Sequence, residues 1–259
     1  MIEYFQACAL LAFEFIHGTG RSPDHLPTWD QLLNSTNDDF HFQLFRKACT
    51  YIRRIFLTKD FSNAPEDGLL DGILIDKMKV GAPMKTNKFR PILIYGAFYE
   101  TLFYLQLDES PMIKKRADEG MEFVRRLSEI SPVNFTNKYL LAEGVRLERI
   151  DPEQSERLLL KSIHSSKVQK VINDEALCSE FAGRSFFRRG EMVKSKAFLL
   201  HAIQCYHQWG ASAIVARMNS ELKNMFGVEK ILEPVSVDAF MKGFVDEKLP
   251  NKKRSSSNG

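Results

Sequence analysis

An all-α fold, arranged as a right-handed helical solenoid of stacked antiparallel helix pairs, is the expectation for this chain, and three observations carry it. Apolar and small residues recur every three or four positions through most of the 259 residues, the period of amphipathic helices, and no stretch of useful length alternates as a strand does. Between Asp174 and Arg217 two such patterns stand back to back: Leu177, Phe181, Ala182 and Phe186, then Val193, Ala197, Leu200, Ile203 and Tyr206, with Gly190 between them. Gly144 and Gly183 hold equivalent places in two successive hairpins, 39 residues apart, against about 34 in tetratricopeptide repeats. Such units stack on their nearest neighbours into a continuous core, so a tetratricopeptide-like solenoid is favoured over a closed bundle.

Taken in order, the first helix runs from Tyr4 to His17, with Phe5, Cys8, Ala9, Ala12, Phe13 and Ile16 on one stripe. A loop containing Pro23 and Pro27 follows. Phe42, Phe45, Ala48, Cys49, Ile52 and Phe56 define a second helix, capped by Asn37 or Asp38. A third spans Pro65 to Lys79 and stops before Gly81-Ala82-Pro83. Pro91 opens a fourth that reaches Leu107, and its aromatic content (Tyr95, Phe98, Tyr99, Phe103, Tyr104) predicts that most of it is buried.

Ser110-Pro111 starts the fifth helix, with Ser as cap and Pro in the first helical position, and Asp151-Pro152 starts the seventh by the same device. Ala117, Met121, Val124 and Leu127 form the inward stripe of the fifth; the sixth runs from Val133 to Ile150. In the central hairpin Gly183 lets a neighbouring helix approach closely, and Gly210, directly after Trp209, ends the ninth helix as a left-handed residue. Ala213 to Phe226 gives a tenth. After Gly227 come Pro234, a short helix over Val237 to Val245 and the tail LPNKKRSSSNG, too polar to bury itself. The expected organisation is an N-terminal helical part over 1–108, helical hairpins over 109–227, and a linker with a basic, serine-rich tail over 228–259.

The run PVNFTNKYLLAEGVRLER from Pro132 to Arg149, then ALCSEFAGRSFF, a glycine turn, AFLLHAIQCYHQWGA and IVARMNSEL resembles the helical segment of a family of very large signalling proteins. These join a serine/threonine-kinase-like domain, an ATPase domain, a helical solenoid, a GAF domain and a sensor histidine kinase. The resemblance covers roughly Ala117 to Leu222, while residues 1–116 match it loosely. It implies a cytoplasmic, non-catalytic scaffold of a two-component system, coupling an ATPase region on its N-terminal side to sensor and phosphorelay domains on its C-terminal side. In that family a GAF domain would follow; none does here, so the chain is an excised region, a fragment or a stand-alone relative. The alternative is an independent adaptor that binds a peptide or partner helix.

Charge and composition narrow the other classes. Thirty-six basic and 33 acidic residues are interspersed for a formal charge of +3, which gives no strong attraction to nucleic acid or anionic lipid. The apolar segment Ile2 to Ile16 lacks a basic leader, contains Glu3 and Glu14 and is too short to span a bilayer. Cys8, Cys49, Cys178 and Cys205 are far apart and sit among apolar neighbours, which predicts buried free thiols in a reducing compartment.

No cofactor, metal or catalytic residue is assigned. Gly18-Thr19-Gly20-Arg21-Ser22 lacks the spacing and the lysine of a phosphate loop and reads as a helix-ending turn. His201 and Cys205 lie four apart, with His207 and Cys178 as potential neighbours, but no second His/Cys pair at ligand spacing completes a zinc set. None of the six histidines has the context of a phosphate acceptor, and the protein-kinase elements are missing. Lys252-Lys253-Arg254 with Ser255 to Ser257 reads as a solvated linker rather than an import signal.

A partner-binding groove follows from the repeat. If Gly144 and Gly183 hold the eighth position of their hairpins, the groove-facing positions are Lys138, Leu141, Val145 and Glu148 in one and Leu177, Glu180, Arg184 and Phe187 in the other. The mixture suits a helix or extended segment supplied by flanking domains or another protein. Weighed against it, Glu180 and Arg184 form an exposed i,i+4 pair and adjacent helices cover the apolar positions.

Overall fold

The computed structural model describes residues 40–59, 90–107 and 110–227, with isolated positions at 11, 12, 14–17, 28, 31, 237, 240 and 241. The expected helix over Pro65 to Lys79, the loops around Gly18 and Pro23, Cys8, most of the last short helix and the basic tail lie outside the described residues.

Among the described residues every regular element is helical. We label them α1 (Phe40–Arg53, running into a π turn at Arg54–Thr58), α2 (Arg90–Tyr104), α3 (Pro111–Ile130), α4 (Pro132–Leu147), α5 (Pro152–Gln169), α6 (Ile172–Arg188), α7 (Met192–Trp209) and α8 (Ser212–Phe226). Residues 14–17 are helical as well.

Local chemistry sets the boundaries. The Ser110 and Asp151 side chains accept hydrogen bonds from the Ile113 and Gln154 amides, and a proline follows each in the first turn, as the sequence predicts. Pro132 opens α4 after a single intervening residue, Ser131. Gly210 closes α7 at φ 85°, the left-handed conformation that favours glycine. Lys170 closes α5 in the same way at φ 58°.

Three boundaries differ from expectation. Helix α4 stops at Leu147 and residues 148–150 form a turn, so Glu148 lies just past the helix. Helix α2 ends at Tyr104 rather than Leu107. Helix α1 widens to a π turn after Arg53, which buries Ile55, Phe56 and Leu57 together before Lys59, at φ 50°, ends it.

From α3 to α8, connections of one to four residues force consecutive helices to run antiparallel. Each of α3, α5 and α7 packs on the two helices that flank it in sequence, while α2, α4 and α6 touch one another in that order. The α4/α5 and α6/α7 pairs meet through glycines. A Cβ on Gly183 would fall 2.6 Å from Leu199 Cγ and 3.0 Å from its backbone nitrogen; one on Gly144 would fall 2.9 Å from Leu159 Cγ. Gly120 makes a third close approach, against Thr101 of α2, that the periodicity did not single out.

Helix α2 is buried from Ala97 to Tyr104, as its aromatic content predicts, and the α3 stripe Ala117, Met121, Val124 and Leu127 is buried too. Among the described residues no helix is long and apolar enough to cross a membrane.

Candidate partner-binding face

The eight positions derived for the groove lie on α4 and α6 and at their ends, and the chain itself covers most of them. Leu141, Val145 and Leu177 are buried in the core. Lys138, on α4, is buried and pairs with Asp174 at the start of α6; its ammonium also donates to the Asn134 carbonyl at 3.2 Å and lies over the Tyr95 ring. Asn137 completes this knot, donating to Asp174 at 2.8 Å and to Ser166 at 3.0 Å. Lys138 is therefore an internal brace.

Glu148 and Phe187 sit at the rim. Arg188 donates two hydrogen bonds of 2.6 Å to the Glu148 carboxylate, tying the end of α4 to the end of α6. The half-buried Phe187 meets the Phe226 ring of α8 edge-on at 5.8 Å.

Glu180 is the hub. The sequence allows an exposed Glu180–Arg184 pair; the pair forms, with hydrogen bonds of 2.9 and 3.1 Å, but the carboxylate is completely buried. Arg217 of α8 donates to Oε1 at 3.0 Å, the Tyr206 hydroxyl of α7 donates to Oε2 at 2.9 Å, and Lys59 Nζ lies 3.1 Å from Oε1. Glu221 closes the cluster by accepting from both Arg184 and Arg217. Arg184, offered by the sequence as a groove contact, is thus committed to two carboxylates.

Three cations face two carboxylates in this cluster, and burial weighs on the titration before their charges do. Burial holds the Lys59 ammonium down to about 7; Glu180 opposes the depression, and Arg217 and Arg184 add to it. Burial alone would raise the Glu180 carboxyl, but Lys59, Arg217 and Arg184 outweigh it and keep it well below the usual carboxylate range. Burial, then the Glu180 charge, pushes the Tyr206 phenol well up.

Lys59 arrives with the rest of the π turn. Phe56 meets the rings of Tyr99, Tyr206 and Trp209 at 5.3, 6.3 and 5.9 Å, and Phe15 meets Phe56 edge-on at 5.5 Å and the tilted Trp209 ring at 5.2 Å. The Lys59 ammonium also lies 5.3 Å from the centre of the Phe181 ring. Arg53 anchors the approach through a 2.8 Å bond to the buried Glu14. The inward face of α6 to α8 is occupied by residues 54–59 of the same chain. Nothing in the local sequence of either segment announces this pairing.

Of the potential metal ligands in the sequence, His201 and Cys205 come together on α7 and are joined by Glu175 of α6, a carboxylate that His and Cys spacing does not reveal. Cys178 lies elsewhere, beside Ser166 at 3.8 Å, its thiol pushed up to about 12 by burial. Cys49, Cys178 and Cys205 are buried.

No protein-family model, curated protein or solved structure matches the chain.

Proposed function

We propose that the chain is a non-catalytic scaffold of tetratricopeptide-like helix pairs, acting in the cytoplasm within a signal-transducing sensor histidine kinase of the hybrid type and coupling an ATPase region before it to sensor and phosphorelay domains after it. The repeated hairpin supports the repeat reading: Ser155, Leu159 and Lys170 of the first unit recur as Ser195, Leu199 and Gly210 of the second, each 40 residues on, and each leucine packs on the glycine of its partner helix.

The observation that carries the interaction role is the seating of residues 54–59 on α6 to α8. That face takes a short segment presenting an aromatic ring and a lysine, and its buried carboxylate supplies a charged anchor. Burial of ring and ion pair together is how anchoring residues hold interfaces. The same seating supports the second reading, a stand-alone adaptor, because a helix or extended peptide with an aromatic-then-basic pattern would meet the same chemistry.

The native reading frame separates the two. The scaffold reading expects it to continue into ATPase sequence before Met1 and into GAF and histidine-kinase sequence after Gly259. A frame that starts at Met1 and stops after Gly259 would overturn the scaffold reading and leave the adaptor.

A further inference from the structure

We propose that Glu175, His201 and Cys205 form a binding site for one zinc-class divalent cation. His201 and Cys205 stand one turn apart on α7, and Glu175 faces them from the first turn of α6. Their three donor atoms lie within 4.8 Å of one another; His201 Nε2 is 2.9 Å from Glu175 Oε1 and 3.6 Å from Cys205 Sγ. A tetrahedral zinc bonded at about 2.0–2.1 Å to nitrogen and oxygen and about 2.3 Å to sulfur spaces its ligands roughly 3.3–3.6 Å apart. Only small adjustments separate the observed cluster from that geometry.

Hydrogen bonding alone leaves the cluster unsatisfied. A neutral imidazole nitrogen carries either a proton or a lone pair. If Nε2 carries the proton it donates to Glu175 and offers nothing to the thiol. If it carries the lone pair it accepts from Cys205 and faces the carboxylate with a second lone pair. Cys205 is 3% exposed and has no other hydrogen-bond partner among the described residues. One cation at the centre serves all three donors at once, and a thiolate, a carboxylate and a neutral imidazole balance its double charge.

The donor set selects the ion class. Mixed sulfur, nitrogen and oxygen ligands suit zinc and cobalt rather than magnesium or calcium. The His201 side chain is 21% exposed, which gives the ion a path in and leaves its fourth position to water. The Cys205 thiol is the ligand that must lose a proton on binding. Binding exchanges this S–H bond for a sulfur–metal bond and releases one proton to the buffer.

Cobalt(II) titrated into the full chain is the probe. The expected result is saturation at one equivalent, with a thiolate-to-cobalt charge-transfer band and tetrahedral ligand-field bands that zinc abolishes. Cys205→Ser should lose the charge-transfer band, and His201→Gln should weaken cobalt binding at least about tenfold, with circular dichroism confirming both folds. Absence of the band in the wild type, or its survival in Cys205→Ser, overturns the site. If Cys205→Ser does not fold, the partly exposed His201 decides, and unchanged affinity in His201→Gln overturns it equally.

Discussion

At the scale of single residues, the charge on Lys59 is the most informative feature, because it is placed where it is disfavoured. Its side chain is 14% exposed but the ammonium itself is buried, in a cluster with one cation more than carboxylates, and the residue ends a π turn in the left-handed conformation that non-glycine residues rarely adopt. With a folded-state value of about 7 against an ordinary 10.5, the unfolded chain binds the extra proton between those two pH values. Stability contributed at this position therefore rises with pH above about 7, by at most about 1.4 kcal/mol per pH unit. The raised Cys178 and Cys205 thiols act in the opposite direction once the unfolded thiols ionise near pH 9. The Lys59 contribution is isolated by subtracting Lys59→Met from wild type between pH 6 and 8.5. Denaturant unfolding should show wild type gaining on the variant as pH rises; a pH-independent difference would mean that Lys59 is not buried against Glu180.

At the scale of the elements, the hairpins depend on glycine at the helix crossings. In an open helical site Gly→Ala is worth up to about 1 kcal/mol of added stability through propensity. At Gly183 the new methyl would meet Leu199 Cγ at 2.6 Å and a backbone nitrogen at 3.0 Å, and backbone yields least. Overpacking of this kind costs about 1–3 kcal/mol, so it outweighs the propensity gain. Gly183→Ala should lower the urea midpoint, and Gly144→Ala, with its contacts at 2.9 to 3.2 Å, should do so less. An equal or higher midpoint in Gly183→Ala would refute close packing of α6 on α7.

These elements were also the part of the fold legible in the sequence. Ser110-Pro111, Asp151-Pro152 and Gly210 act through hydrogen bonds and backbone angles within a few residues, so their signals are local. Gly144 and Gly183 were legible because a missing side chain within an apolar stripe has a direct packing meaning. The Gly120–Thr101 approach, the π turn and the Lys170 cap had no such signal: each depends on what a neighbouring helix demands. Whether the groove positions face solvent is not a local property: Lys138 is closed in by Asp174 and Tyr95, and Glu180 by Lys59, all contributed from distant parts of the chain. Glu175 is not legible as a ligand for a related reason, since a lone carboxylate carries meaning only beside His201 and Cys205.

At the scale of the whole molecule, the π turn and residues 14–17 bind the beginning of the described chain to its end. Phe56 touches Tyr99 of α2 and Tyr206 and Trp209 of α7, so one ring spans helices from both halves. The expected boundary near residue 108 is crossed in the same manner by α2, which packs on both α3 and α4. An external segment directed at the Glu180 face would therefore compete with residues 54–59 rather than enter an empty groove.

Occupancy of the Glu180 face by residues 54–59 is intramolecular, and a photo-reactive phenylalanine analogue at position 56 of the full chain tests this. Irradiation at low protein concentration followed by peptide mass spectrometry should give links within a single chain to the peptide carrying Tyr206 and Trp209. A folded protein that links position 56 only to other molecules, or never to that peptide, would contradict the account.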